Sequence, residues 1–119
     1  QARIVGGCTL GGTPDRPGLA PVAAIRKTLQ HANISARDIA LAEVMEAYAV
    51  QAIACVDGAG LDPARVNTAG GALARGHPIG ASGAINAVRL FHGLQTDRGY
   101  GLAAIAAAGG LGTALLLQV

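Results

Sequence analysis

A chain of 119 residues with a net charge of +2 has the size of one domain, and its basic residues are too scattered to suit nucleic acid or an anionic membrane. Apolar residues make up 51% of the sequence and aromatics only 3%, so the core must be filled by Ala, Val, Ile and Leu, with 18 glycines permitting close backbone approach. Cys8 and Cys55 form neither a metal-ligating nor a CxxC spacing, and no secretory signal opens the chain; both features predict reduced, buried thiols and a cytoplasmic setting.

Residues 2–10, ARIVGGCTL, read as a first strand, followed by the loop GGTPDRPG. The absence of an initiator methionine before this strand leads us to expect a piece of a longer protein. From Pro21 the period changes: Val22, Ile25, Leu29 and Ala32 share one helical face, with Arg26, Lys27 and Gln30 outside it. Ser35 and Asp38 have capping spacing, and IALAEV (39–44) reads as a buried strand. EAYAVQAIACV (46–56) reads as a second helix that Gly58 and Gly60 terminate. Asp62-Pro63 suits a capped single turn, with Val66-Asn67-Thr68 as a short strand behind it. Ser82 suits the N-cap of a third helix whose Ile85, Val88, Phe91 and Leu94 share a face.

Residues 101–119 carry no charge and are long enough to span a bilayer as a helix, but Gly109, Gly110 and Gly112 divide them into two apolar strands of a hairpin. The predicted order is therefore βαβαβαββ: a mixed, mostly parallel five-stranded sheet with helices on both faces, forming one α/β domain. Such sheets bind ligands in loops at the carboxyl ends of their strands. The glycine-rich segment GGALARGHPIGASGA (70–84) occupies that kind of loop and holds His77 between a glycine and a proline. Proline biases the preceding residue towards an extended conformation, so the imidazole is held in a chosen direction. His31, at a helix end, and His92, on the solvent side of a helix, have ordinary surface contexts. Arg75 reads as a solvated loop arginine with an alternative role towards phosphate or carboxylate, and Glu46 as a partner for a backbone group or an arginine.

The string GGALARGHPIGASGA, preceded by MEAYAVQ and followed by AAIAAAGGLGTALLL, resembles the carboxyl-terminal half of the thiolases, which join or split 3-ketoacyl-CoA thioesters. The resemblance covers essentially the whole chain. It implies that His77, set by Gly76, Pro78 and Gly80 against the substrate, activates a nucleophilic cysteine carried by an amino-terminal half or a large subunit, and with a water stabilises the thioester oxyanion. An imidazole that draws off a thiol proton generates the attacking thiolate. The resemblance further implies that the Ala108 N–H helps to bind a second oxyanion, that the substrate is a CoA thioester with no resident cofactor or metal, and that the protein is a homo- or hetero-oligomer.

Three family positions are altered. Met45 stands where relatives carry an asparagine or histidine that holds the oxyanion water, and a thioether cannot replace that group. Ala69 replaces a common asparagine before the double glycine, and Ala106 stands where a second cysteine acts as acid and base. Neither Cys8 nor Cys55 lies in the nucleophile's context. Two readings follow from the resemblance: half of a thiolase-like acyltransferase of lipid metabolism, or a thiolase-derived module that has lost catalysis and binds acyl-CoA or scaffolds a complex.

Overall fold

The computed structural model describes residues 1–119. Four strands form one mixed sheet: β1 (Arg3–Gly11), β2 (Ile39–Val44), β3 (Tyr100–Ala107) and β4 (Leu111–Gln118), in the order β1-β4-β3-β2. The helices are α1 (Ala20–Ala32), α2 (Ala49–Ala59), the single turn α3 (Ala72–Arg75) and α4 (Ser82–Gly93). Strands β2 and β3 pair in parallel, whereas β4 lies antiparallel to both neighbours.

The strand count and the balance of pairing differ from the sequence expectation, each for a local reason. Strand β4 reverses at Gly109 and Gly110, both with φ near +85°, and inserts between β1 and β3. Strands β1, β2 and β3 consequently point the same way, yet two of the three ladders are antiparallel. The expected strand at 66–68 is reduced to one bridge, Ala42 to Val66, because Asn67 turns to φ +50°. Its side chain continues the pairing in place of backbone: the Val44 N–H donates to Asn67 Oδ1 and Asn67 Nδ2 donates to the Val44 carbonyl, both at 2.9 Å.

Helices α1 and α2 cover one face of the sheet over a core that includes Ile25, Leu29, Val44, Cys55, Leu102 and Leu116. Helix α4 covers the other face above Leu41, Ala103 and Leu117. It is rotated from the expected register: Ser82, Asn86, Leu90 and the following Leu94 are buried, while Val88 is exposed. Two polar residues therefore occupy the inner stripe, which a count of apolar residues alone misplaces. Between β2 and the loops, Ser35 and Asp38 form a capping box and Asp62 accepts from the Ala64 N–H, as their spacing predicts. No helix is long and apolar enough to cross a membrane, and the uncharged stretch is the β3–β4 hairpin.

Candidate active site

The altered and retained family positions gather at the carboxyl ends of the parallel strands β2 and β3. Met45 follows β2 directly, and its N–H donates to the Ala104 carbonyl at 2.9 Å. Ala106 lies two residues further along β3, and Ala108 begins the exposed turn into β4. The amino end of α4 reaches the same region, where Gly83 packs beside Ile105. Residues 69–81 cross this end of the sheet between β2 and α4 and present Gly76, His77, Pro78 and Gly80 to solvent.

Several anchors fix that crossing. Glu46 Oε1 accepts from Asn67 Nδ2 at 2.8 Å, and its Oε2 accepts from the Leu73 N–H at 2.9 Å. The carboxylate lies so close to Gly71 that any side chain there would overlap it. Glu46 thus partners backbone and amide groups; it meets no arginine. Below it, Glu43 is buried and accepts from Arg89 Nε at 3.1 Å, with Arg75 Nη2 at 3.7 Å. Arg89 Nη2 also donates to the carbonyls of Ala69 and Gly70, at 3.1 and 2.8 Å, which ties the loop to α4. Burial pushes the Glu43 carboxyl above its ordinary range, while Arg89 and then Arg75 pull it back.

Arg75 departs from the solvated role that its loop position suggested. Its Nη2 donates to Asn86 Oδ1 at 3.0 Å, and its Nε and Nη1 are buried without a hydrogen-bond partner. Met45 is buried as well, with its sulfur 4.0 Å from Asn86 Nδ2, so the position presents a thioether to the α4 packing.

His77 itself is exposed, after Gly76 at φ +95°, a backbone conformation that a side chain disfavours. Its Nδ1 lies 2.7 Å from Ser82 Oγ. Its other ring nitrogen makes no hydrogen bond within the chain. The Ala108 N–H likewise meets no acceptor of the chain, which leaves a backbone donor free at the same end of the sheet.

Neither cysteine is hydrogen-bonded to His77. Cys55 is buried in α2, where its thiol donates to the Gly18 carbonyl and accepts from Gln51; burial pushes its pKa up, with Gln51 opposing. Cys8 is half-buried, not fully buried as expected, and lines a cavity of about 450 Å³ beside Gly83, Asn86, Ala103 and Leu115. His31 and His92 are exposed. No group of His, Cys, Asp and Glu side chains is placed to hold a metal ion. Sequence reasoning missed the buried Glu43 and Asn86 and the half-buried Arg89, and it gave Ser82 the N-cap that Ala81 holds, with Ser82 inside the helix; the one available signal was that Ser82, Asn86, Leu90 and Leu94 recur every four positions and so share a face.

A mixed α/β sheet with a histidine loop at its carboxyl edge defines the structural class. Comparison with known proteins gives the family: the model described as "Thiolase, C-terminal domain" matches residues 1–119, and the chain belongs to the thiolase family. It is 46% identical over 118 residues to the acetyl-CoA acetyltransferase of Paracoccus denitrificans, covering 98% of this chain and 30% of that protein. The corresponding Escherichia coli enzyme is 43% identical over 118 residues, with the same coverage of 98% and 30%. Among solved structures, the Bacillus anthracis acetyl-CoA acetyltransferase superposes with a TM-score of 0.93 at 39% identity, again covering 98% of this chain and 30% of that one. The chain therefore spans about a third of the length of the relatives it matches, in the region of their carboxyl-terminal domain.

Proposed function

We propose that the chain is the carboxyl-terminal domain of a thiolase-like acyl-CoA acyltransferase and supplies its activating histidine. The observation that carries this reading is the exposed His77 ring, anchored through one nitrogen and open at the other, on a loop fixed by Glu46 and Arg89. The nucleophilic cysteine comes from an amino-terminal half or a large subunit, since Cys55 is buried in the core and Cys8 lines a cavity in whose lining His77 has no part. His77 takes the thiol proton, the thiolate attacks the 3-keto carbon of the 3-ketoacyl-CoA, and the bond between C2 and C3 breaks: the acyl-cysteine forms and acetyl-CoA leaves as its enolate, which takes up a proton from an acid outside this chain. The thiol of free CoA then attacks the acyl-cysteine, giving the shortened acyl-CoA and releasing the cysteine; condensation runs the same steps in reverse.

The free N–H of Ala108 is a donor for the oxyanion that develops in these steps. Gly76, Pro78 and Gly80 leave the approach to the ring open for the thioester. Met45, Ala69 and Ala106 contribute no side chain that moves a proton, so the base needed for carbon–carbon bond formation lies outside this chain. The chemistry moves an acyl group from carbon to the cysteine sulfur and on to the CoA sulfur, or the reverse, and calls for no resident cofactor. On the same reading the protein acts in lipid metabolism, in the cytoplasm, within a homo- or hetero-oligomer.

The test combines the full-length protein, or both halves, with acetoacetyl-CoA and free CoA, and follows loss of the 3-ketoacyl thioester. Turnover abolished by His77→Ala is the expected result, and the 119-residue chain alone should show none. Turnover that survives His77→Ala overturns the assignment. Acyl-CoA binding without turnover would establish instead a module that has lost catalysis, the reading that Met45 and Ala106 favour.

A further inference from the structure

We infer that Ser82 is a positioning residue that sets the tautomer of His77, keeping the proton on Nδ1 and the free lone pair on Nε2. Two distances carry the inference: His77 Nδ1 to Ser82 Oγ at 2.7 Å, and Ser82 Oγ to the Pro78 carbonyl oxygen at 2.9 Å. A serine hydroxyl has one proton, and a carbonyl oxygen can only accept. The hydroxyl proton is therefore directed at Pro78, and Oγ turns a lone pair towards the ring. Nδ1 must then be the donor, which leaves Nε2 unprotonated in the neutral imidazole. The opposite tautomer would set the hydroxyl oxygen against the Pro78 oxygen at 2.9 Å with no proton between them.

The surroundings hold this relay in place. Ser82 is fully buried, although the histidine it orients is exposed. The N–H groups of Ala81 and Ser82 both donate to the Pro78 carbonyl at 2.9 Å, so the acceptor is fixed by the first turn of α4. Proline at 78 keeps His77 from continuing that turn. Two hydrogen bonds and one helix end thus convert a flexible surface histidine into a base with one defined acceptor nitrogen. That nitrogen is the one the proposed function needs to take a thiol proton.

The assignment rests on the proposed function only for its kinetic consequence, and the two are tested separately. Two-bond 1H–15N spectra of the chain at about pH 8.5, where imidazoles are neutral, read each tautomer directly. His77→Gln identifies the His77 signals among those of His31 and His92. The expected pattern for His77 is the Nδ1–H form, with the exposed His31 and His92 in the mixture dominated by Nε2–H that free imidazole adopts. Ser82→Ala should move His77 to that same mixture. An Nε2–H pattern for His77 in the unaltered chain overturns the inference, and this measurement requires no serine variant. An unchanged tautomer in folded Ser82→Ala overturns it equally.

In the full-length protein, Ser82→Ala should slow alkylation of the nucleophilic cysteine and lower kcat by about tenfold with little change in KM, because an orienting contact to the general base is lost. Ser82→Thr, which keeps the hydroxyl, should restore most of the rate if it folds. Should the unaltered full-length protein show no thiolysis, the proposed function fails while the spectrum still decides the tautomer.

Discussion

Removing the guanidinium of Arg89 is the sharpest test of how the loop is held. In Arg89→Ala the buried Glu43 loses its 3.1 Å partner and keeps only Arg75, at 3.7 Å; the carbonyls of Ala69 and Gly70 lose a shared donor. Breaking a buried ion pair from one side costs about 3–5 kcal/mol, because the remaining charge is left uncompensated. Arg89 is 26% exposed and Arg75 remains near, so the lower end applies: about 3 kcal/mol, or a melting temperature about 10 °C lower for a domain of this size. The cost should depend on pH in a defined direction. Burial already raises the folded-state pKa of Glu43 above 4.5, and Arg89 is the largest influence opposing it, so the variant's carboxyl must rise further. A raised carboxyl binds its proton more tightly in the folded state, and the associated stability is present at low pH and lost as pH rises through the folded pKa. The penalty of Arg89→Ala should therefore be largest near pH 7.5 and shrink as pH falls towards 4.5. Urea denaturation followed by far-UV circular dichroism at pH 7.5 and 5 measures both effects. A loss below about 1 kcal/mol at pH 7.5, or one that does not shrink on acidification, would refute the reasoning.

Other perturbations separate stability from chemistry. His77→Ala should change the unfolding free energy by less than about 0.5 kcal/mol, because the ring is exposed, while on the proposed function it should abolish turnover in the full-length protein. Gly71→Ala should displace the Glu46 carboxylate from Leu73 and Asn67 and destabilise the fold by about 2 kcal/mol, read from the same melts. Asn67→Ala removes both side-chain bonds to Val44 at a residue with φ +50°, and should cost about 2–3 kcal/mol. With an aromatic disulfide reagent at pH 8, Cys8 should react first and Cys55 only on unfolding, since burial raises the Cys55 thiol; equal rates would contradict its placement.

What could be read from the sequence followed local rules. The α1 face, the Ser35–Asp38 box and the Asp62 turn each depend on residues two to four apart, and each formed as expected apart from a shift towards Ala24 and Thr28 on α1. The exposure of His77 was legible because glycine and proline act on their own neighbours. The rest depended on distant partners. Asn67 looked like part of a strand because nothing nearby shows that its amide pairs with Val44, 23 residues away. Arg75 looked solvated, and Arg89 drew no notice, because their carboxylate, Glu43, lies in a strand that reads as apolar. The α4 register failed where Ser82 and Asn86 took inner positions, since a buried polar residue is identified only by its partner.

The division between these two kinds of information also bears on how a site shared with another segment works. If the His77 loop were ordered only on meeting its cysteine-bearing partner, the ordering entropy of about a dozen residues would oppose every association. Here Glu46 holds the Leu73 end, Arg89 the Ala69–Gly70 carbonyls, and Ser82 the ring itself, and all three belong to this chain. The imidazole is thus oriented by this chain alone, and on the proposed function docking would need only to bring a sulfur within reach of it. Altering Met45, Ala69 or Ala106 disturbs none of these anchors, because Ala69 contributes only its backbone carbonyl and the other two contribute no hydrogen-bonding group that fixes the loop. On the proposed function, side chains that transfer protons can consequently be absent from positions 45, 69 and 106 while the orientation of the histidine is unaffected.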